Sequence, residues 1–159
     1  MNQPRWLDES EQLAWRRTIA GSILLVDRLD RDLRQHHDIT LADYEILVHL
    51  SEAPDRRLRM SELAAAALVS RSRLTHRVNR LADRELVARE ACPTDRRGTF
   101  AVLTDRGMAL LEDAAPTHVE GVRTHLVDRL DPKTFDALGQ AMGRVASPLL
   151  DGQPAAWPI

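Results

Sequence analysis

Residues 60–104 carry two short helical patterns followed at once by two strand-like runs, and this order constrains the fold more than any other feature. The segment "MSELAAAALVS" predicts an alanine-rich helix with Ser61 as its cap and Leu68 among its packing residues. Ser70 is well placed to cap the next helix, "RSRLTHRVNRLADREL". The runs "LVAREAC" and "TFAVLT" then predict two strands joined across "PTDRRG". Two helices joined by a tight turn and followed by a hairpin form a winged helix-turn-helix pattern.

Four more helices are predicted on either side of this segment. The first runs roughly over Glu11–His36, and the second is capped by Thr40 with Asp43 as a variant capping box. A long helix follows the hairpin, and we expect Pro116 to kink it or split it in two. The last begins at the Asp131–Pro132 pair, an N-cap followed by a first-turn proline. Three helices carry apolar stripes at helical spacing: Ile19, Ile23, Val26, Leu29 and Leu33; Met108, Leu111, Ala115, Val119, Val122 and Leu126; and Phe135, Leu138, Met142, Val145 and Leu149.

These patterns predict a mainly α fold with a small β-wing, in which a winged helix-turn-helix lobe joins a helical dimerisation region. The lobe is expected at residues 40–104. The dimerisation region combines residues 1–39 and 105–150, because their apolar stripes need more cover than one chain provides. Residues 151–159 are expected to form a mobile tail.

The overall charge hides a strong local asymmetry. The net charge is −2, yet residues 56–97 hold eleven arginines and five acidic residues. The remainder holds eleven basic and nineteen acidic residues. A basic middle between acidic flanks can present a positive surface to phosphate, so double-stranded DNA is the expected partner. The alternative is a cluster of solvated arginines that serves solubility alone.

Several other classes of function are disfavoured. The chain has no apolar run of about 18 residues, and its start, "MNQPRWLDESEQ", has no signal-peptide core, so we expect a cytoplasmic protein without a membrane partner. It has no nucleophile with a nearby base, no glycine-rich phosphate loop and no paired carboxylates that would indicate an enzyme. The six histidines lack metal-ligand spacing, and we expect neither a metal nor a cofactor.

The predicted recognition helix has one apolar side and one side rich in hydrogen-bond donors. Leu74, Val78 and Leu81 fall within about 60° of one another at 100° per residue, so that side must pack inward. The opposite side fits the DNA major groove, where such donors read base edges. The residues expected near bases are Ser72, Arg73 and His76. The full predicted DNA-binding set on this helix is Ser70, Arg71, Ser72, Arg73, Thr75, His76, Arg77, Asn79 and Arg80, with Arg71, Thr75, Arg77 and Arg80 near phosphates.

The hairpin segment "TDRRG" holds two adjacent arginines at a turn that needs only Asp, Asn or Gly. A wing beside the recognition helix reaches the neighbouring minor groove, which attracts arginine where it is narrow. We expect Arg97 to enter that groove and Arg96 to lie near phosphates. Asp95 would stiffen the tip, and Gly98 would permit the turn.

The stretch "MSELAAAALVSRSRLTHRVNRLADRELVAREACPTDRRGTFAVLTDRG" resembles the MarR family of bacterial transcription regulators. The family's Asp-x-Arg hairpin and Leu-Thr-x-x-Gly junction fall here at Asp95, Arg97, Leu103, Thr104 and Gly107. The family often has Gly after the recognition helix, where this chain has Glu85. The resemblance implies a homodimeric winged-helix repressor of a pseudo-palindromic operator. Such repressors are often released by phenolic or other aromatic ligands, or by oxidation.

The resemblance also places an effector pocket between the dimerisation helices and the winged lobe. Trp15, Arg16 and Tyr44 are candidates for an aromatic wall, an anion partner and a hydroxyl there, and His118 is a further candidate. Two alternatives stay open. The chain is a DNA-binding regulator without an effector, or Cys92 makes it a thiol-based sensor because two arginines lie near it in sequence. Cys92 also fits as a small strand residue without a redox role.

Overall fold

The computed structural model describes residues 3–92 and 95–150, with the backbone alone for residues 95–97. The predicted tail, 151–159, lies outside the described residues. Within them the α-helices are α1 (Glu9–His37), α2 (Leu41–Glu52), α3 (Met60–Ala66), α4 (Arg71–Asp83), α5 (Asp105–His125) and α6 (Pro132–Ala146). The strands are β1 (Arg57–Arg59), β2 (Val87–Cys92) and β3 (Asp95–Leu103). Short 3₁₀ turns occupy Pro54–Arg56, Val127–Arg129 and Ser147–Leu150. The mainly α fold with a small β-wing is confirmed.

The core forms around α2, which is buried on nearly all sides. Ile46, Leu47 and Leu50 are fully buried there. The cluster also takes in the C-terminal third of α1, the inward face of α4 and one face of the sheet. The N-terminal end of α2 is capped as predicted, since the Thr40 side chain accepts from the Asp43 amide and Asp43 accepts from the Thr40 amide.

The helix-turn-helix segment departs from the sequence prediction at the start and end of α3. Ser61 does not cap this helix, because α3 begins one residue earlier, at Met60. The capping bond runs from the backbone amide of Arg59 to the Glu62 carboxylate, at 3.1 Å. Leu68 is 61% exposed and does not pack, since α3 ends at Ala66 and Leu68 adopts a left-handed conformation with φ of 52°. That conformation turns the chain toward α4, which Ser70 caps as predicted.

The sheet has three strands in the order β1-β3-β2, all antiparallel. The sequence pattern predicted β2 and β3 but not β1, whose three residues are too few for a recognisable alternation. The pairing of β2 with β3 is irregular, because Ala91 pairs with Thr99 whereas Cys92 pairs with Asp95. Residues 96–98 therefore lie in a bulge. The backbone of the arginine pair belongs to β3, and not to a turn between strands as expected.

The end of α4 explains what Glu85 does in place of glycine. The amide of Leu86 donates to Leu81 at 2.9 Å and that of Glu85 to Ala82 at 2.9 Å, which is a Schellman termination. Glu85 occupies the left-handed position of this Schellman motif, with φ of 59°. Its carboxylate accepts from Arg106 at 2.8 Å. The helix end keeps the geometry that glycine favours, although a residue with a Cβ stands there.

The junction between β3 and α5 is held by Thr104 and Gly107. Thr104 caps α5 by accepting from the Gly107 amide at 2.9 Å, while its hydroxyl donates to the Glu85 carbonyl at 2.7 Å. A Cβ on Gly107 would lie 2.7 Å from the Leu103 side chain and closer still to the Leu86 carbonyl. The Thr-x-x-Gly spacing therefore lets the first turn of α5 pack directly on the end of the helix-turn-helix.

The long helix α5 continues through Pro116, so of the two predicted outcomes, a kink or a split, the split does not occur. It packs against the C-terminal half of α1. At Gly121 the Leu29 side chain packs directly on the α5 backbone, because a Cβ there would lie 2.8 Å from a Leu29 methyl. Farther along, His37 contacts Asp113 at 3.0 Å and Thr117 at 2.8 Å. These contacts fix the C-terminal part of α1, residues 29–37, to α5.

The N-terminal half of α1 and the whole of α6 leave their apolar stripes uncovered. Ile23 is 62% exposed and Val145 is 55% exposed. No residue of α6 is buried by the described part of the chain. Asp131 and Pro132 start α6 as predicted, and α6 is a regular helix that the described residues leave without a buried side chain. Within the described ranges, no helix combines the length and hydropathy that a membrane span needs.

Candidate nucleic-acid interface

Helix α4 presents the two-sided arrangement that its sequence predicts. Leu74, Val78 and Leu81 are buried and hold the helix on the core. Ser70 accepts from the Arg73 amide at 3.4 Å and contacts Ser72 at 3.2 Å. The opposite side carries the predicted set, of which Ser70, Arg71, Ser72, Arg73, His76, Asn79 and Arg80 are exposed and Thr75 and Arg77 are half-buried.

Two grooves flank this exposed face. The first, which we call the wing-side groove, has a volume of about 320 Å³ and is lined by Arg59, Met60, Ser61, Arg71, Thr75, Gly98 and Thr99. The second, the α1-side groove, has a volume of about 480 Å³ and is lined by Asp30, Arg34, Thr40, Ala42, Ser72, Arg73, His76, Arg77 and Arg80. The predicted base-reading residues thus share the α1-side groove. Arg71 and Thr75, predicted near phosphates, line the wing-side groove.

Two residues of the predicted set also bind other parts of the protein. Arg80 donates to both carboxylate oxygens of Asp43 in α2, at 3.0 Å each. Asn79 accepts from Arg89 of β2 at 2.9 Å. Arg77 lies close enough to Glu45 of α2 to lower the pKa of that carboxyl, against the larger effect of burial, which raises it. The C-terminal half of α4 is therefore anchored, and its first two turns project most freely.

The wing positions fall partly beyond what the structure describes. The backbone of residues 95–98 lies in β3, but the side chains of Asp95, Arg96 and Arg97 are outside the described residues. Gly98 lines the wing-side groove beside Thr99. The base of the wing therefore lies next to the N-terminal half of α4.

The structure adds arginines that the sequence pattern did not assign to the site. Arg57 and Arg59 of β1 both lie over the Phe100 ring of β3, each with its guanidinium carbon 5.4 Å from the ring centre. Arg59 is directly opposite Phe100 in the strand pairing. The alternation of "RLR" is the one local signal for these residues, and in the sequence it contributes only to the local charge.

The four effector-pocket candidates separate into two pairs. The rings of Tyr44 and His118 lie 4.6 Å apart between α2 and α5. Burial raises the pKa of the Tyr44 phenol and lowers the pKa of the His118 imidazole, so both rings are neutral near pH 7. The Nδ1 atom of His118 is buried without a hydrogen-bond partner in the described part of the chain. Trp15 is 58% exposed and follows the same stripe as Ile23, and Arg16 is exposed beside it.

Cysteine and metal chemistry find little support. Cys92 is buried at the end of β2, whereas reactive thiols are generally accessible as well as electropositive in setting. This burial favours its interpretation as a small strand residue. Among the described residues, no three His, Cys, Asp or Glu side chains converge as a metal site would require.

Comparisons with known proteins agree with this geometry. A family model described as "MarR family" matches residues 37–98. Sco3205, a MarR family transcriptional regulator from Streptomyces coelicolor solved in complex with DNA, superposes with a TM-score of 0.91 and 46% identity, over 99% of this chain and 97% of that one. AbsC, a MarR family regulator from the same organism, gives a TM-score of 0.87 and 45% identity, over 92% of this chain and 98% of that one.

A third relative extends the comparison beyond Streptomyces. The transcriptional regulator MhqR of Bacillus subtilis (strain 168) is 32% identical over 94 residues, which is 58% of this chain. That match spans 61% of the length of MhqR. All three relatives are transcriptional regulators, in agreement with the prediction that this chain is not an enzyme. From the near-complete superposition on Sco3205 at 46% identity, the chain belongs to the MarR family of transcriptional regulators.

Proposed function

We propose that this chain is a homodimeric repressor that binds a pseudo-palindromic DNA operator and is released by a small aromatic ligand. The observation that carries the DNA-binding part is the exposed face of α4, which holds four arginines of the predicted set and no carboxylate before Asp83, the last residue of the helix. The Sco3205 complex with DNA, at 46% identity, supports the same partner. In this proposal residues 40–104 form the DNA-binding lobe, and residues 1–39 with 105–150 form the dimerisation region.

The recognition helix reads sequence through its first two turns. Ser72, Arg73 and His76 are exposed on the first two turns of α4, away from the Asn79 and Arg80 contacts of its C-terminal half, so they enter the major groove deepest. Arg71, Thr75 and Arg77 stand at its edges and meet phosphates. Arg80 is the least suited to a phosphate, because its guanidinium already binds the Asp43 carboxylate.

The wing adds affinity beside the recognition helix. Arg97 is proposed to enter the adjacent minor groove, with Arg96 near phosphates, Asp95 stiffening the strand end and Gly98 allowing the local bend. The proximity of Gly98 to Arg71 and Thr75 in one groove supports this arrangement, because it keeps the wing base beside α4.

Dimerisation follows from the uncovered apolar faces. The stripe on α6 is exposed along its whole length, and α1 adds a second exposed stripe over its N-terminal half. Faces of this extent are rare on monomers and indicate an interface. A twofold dimer would set two copies of α4 about one DNA turn apart, roughly 34 Å, which requires a pseudo-palindromic operator.

Release by a ligand is supported by the Tyr44–His118 pair. Two neutral rings and a buried, unbonded Nδ1 favour an aromatic molecule with a hydrogen-bonding group, such as a phenol, whose hydroxyl can donate to that nitrogen or accept from it. Trp15 and Arg16 would line the same pocket only if the dimer places these residues of the second protomer beside the Tyr44–His118 pair. The ligand would act by binding more tightly to a dimer whose lobes no longer match the groove spacing.

In vitro selection of duplex DNA with the full-length protein tests the proposal. We expect enrichment of inverted half-sites and a dimer on the selected duplex. Failure to enrich any duplex would overturn the DNA-binding function. Thermal melting with phenols and aromatic acids, repeated on His118→Phe, then tests the effector, because a ligand of the native state raises the melting temperature. For a constitutive regulator, none of these compounds would raise the melting temperature.

A further inference from the structure

Among the residues that the structure describes, the lining of the wing-side groove includes two arginines from different elements and no acidic side chain. Arg59 enters it from the end of β1, and Arg71 from the first turn of α4. The hydroxyls of Ser61 and Thr75 line the same groove. The Glu62 carboxylate is held by the Arg59 amide at 3.1 Å and lines the neighbouring surface instead. The Thr75 hydroxyl already donates to the Arg71 carbonyl at 2.8 Å. The groove therefore combines two positive charges with the Ser61 hydroxyl, a combination that binds phosphate.

Phe100 restricts where the Arg59 guanidinium can lie. The guanidinium carbon is 5.4 Å from the ring centre, and the two residues face each other across β1 and β3. A cation over an aromatic face is attracted to it, and an arginine held in this way loses less conformational entropy when it binds a partner. Phe100 holds Arg57 equally well, but Arg57, which also donates to Asp55 at 3.3 Å, is not among the residues that line the groove.

The groove also lies where a DNA strand must cross the protein. It is bounded by α4 on one side and by the base of the wing, Gly98 and Thr99, on the other. A duplex whose major groove holds α4 and whose adjacent minor groove meets the wing presents the intervening phosphates to this gap.

We propose that Arg59, positioned by Phe100, binds a DNA backbone phosphate in the wing-side groove together with Arg71. This inference rests on the proposed DNA binding and adds β1 as a third contacting element, besides α4 and the wing. The contact is to the backbone, so it increases affinity for all sequences equally. It does not contribute to the choice of base pairs.

The test compares Arg59→Ala with Arg57→Ala on a duplex selected with the parent protein. Arg59→Ala should lower the salt slope by about one and weaken binding roughly eightfold at 0.1 M salt, because a slope of about 0.9 per phosphate extrapolates to no loss near 1 M. Specific and nonspecific duplexes should be affected alike. Arg57→Ala removes the same charge from the same strand and should change both quantities much less.

Three further variants separate positioning from charge. Phe100→Leu keeps every charge and should weaken binding roughly two- to fivefold through loss of the cation–π contact. In an Arg59→Ala background the same change should have no further effect on affinity. Arg59→Lys should keep most of the salt slope, since the charge remains, while losing the planar stack.

The outcomes distinguish failure of the Arg59 contact from failure of the proposed DNA binding. An Arg59→Ala protein with parental slope and affinity would overturn the Arg59 contact while leaving DNA binding intact. Equal losses for the Arg57 and Arg59 variants would also overturn it, because general surface charge would then account for both. If the parent itself bound no duplex, both proposals would fall together. Circular dichroism melting of each variant identifies any change that comes from lost folding.

Discussion

The Arg80 guanidinium on the recognition helix donates to both oxygens of the Asp43 carboxylate, at 3.0 Å each. The Asp43 side chain is 6% exposed, whereas that of Arg80 is 50% exposed. Asp43 also accepts from the Thr40 amide at 3.3 Å. A few residues along the chain from Arg80, Arg84 donates to the Asp38 carbonyl at 2.7 Å. The end of the recognition helix is thus fastened to the junction of α1 and α2, which joins the DNA-reading element to a long helix of the proposed dimerisation region.

Replacing Asp43 with Asn should loosen this attachment. The amide lacks the charge that holds Arg80, and we expect a loss of about 1–2 kcal/mol in the free energy of unfolding, modest because Arg80 is half exposed. Operator affinity should fall because α4 is less firmly oriented. A purely electrostatic view predicts tighter binding, since a negative charge has been removed. Asp83→Asn, an exposed change at the end of the same helix, is the matched control, and fluorescence anisotropy with urea unfolding measures both effects.

Wing and recognition helix should respond differently to the loss of one arginine. Arg97→Ala should weaken operator binding by about 1–3 kcal/mol and reduce the salt slope by roughly one, uniformly across sequences. Arg73→Ala should instead relax the preference at particular base pairs. A salt series on the selected duplex and on single-base variants distinguishes the two patterns. An Arg97 variant with unchanged affinity and slope would contradict the proposed insertion.

Gly107 should tolerate no larger residue. In Gly107→Ala the new Cβ meets the Leu86 carbonyl and the Leu103 side chain, so the first turn of α5 must shift. We expect a loss of about 3 kcal/mol, near the upper end for overpacking because a backbone atom is involved. Gly21→Ala is the control, since nothing lies within 4 Å of its Cβ position and helix propensity predicts a gain of up to about 1 kcal/mol. Calorimetric melting of both variants measures the expected loss of stability in Gly107→Ala and the expected gain in Gly21→Ala.

Glu85 offers the opposite prediction, a stabilising change to glycine. Its left-handed conformation, with φ of 59°, costs a residue with a Cβ about 1 kcal/mol. Glu85→Gly removes that cost, and the lost ion pair with Arg106 is exposed and contributes little. The free energy of unfolding should rise by about 0.5–1 kcal/mol in guanidinium titrations. Arg106→Ala alone measures the ion pair, and a large loss in that variant would mean that the pair outweighs the strain.

The exposed stripe of α6 should control association. Val145→Glu places a charge within the stripe, and sedimentation equilibrium at micromolar concentration should then detect monomers that bind the operator weakly. Gln140→Glu introduces the same charge on the opposite side of α6 and should leave the dimer intact. If Val145→Glu stays dimeric, the interface must lie elsewhere, and α1 would be the next region to examine. A parent that is itself monomeric would contradict the proposed dimer.

The sequence by itself determined the elements whose signals are local. The stripe of Leu74, Val78 and Leu81 and the Ser70 cap defined α4, because helical periodicity and capping depend on neighbours within a few residues. Thr40 and Asp131 were identified as caps for the same reason. The four arginines that α4 presents follow from its sequence alone, since an amphipathic helix has only one side left for solvent.

Only the tertiary structure decided the features that join distant parts of the chain. Strand β1 exists because β3 pairs with it across more than 40 positions of sequence, and three residues carry no periodic signal of their own. Arg59 belongs to the candidate interface because the fold places it opposite Phe100 and at the wing-side groove. The sequence pattern of α4 predicts Arg80 as a phosphate ligand, whereas the fold supplies Asp43 of α2 as its partner. Long-range pairing of this kind depends on which surfaces the core brings together, and the pattern of one segment does not contain that information.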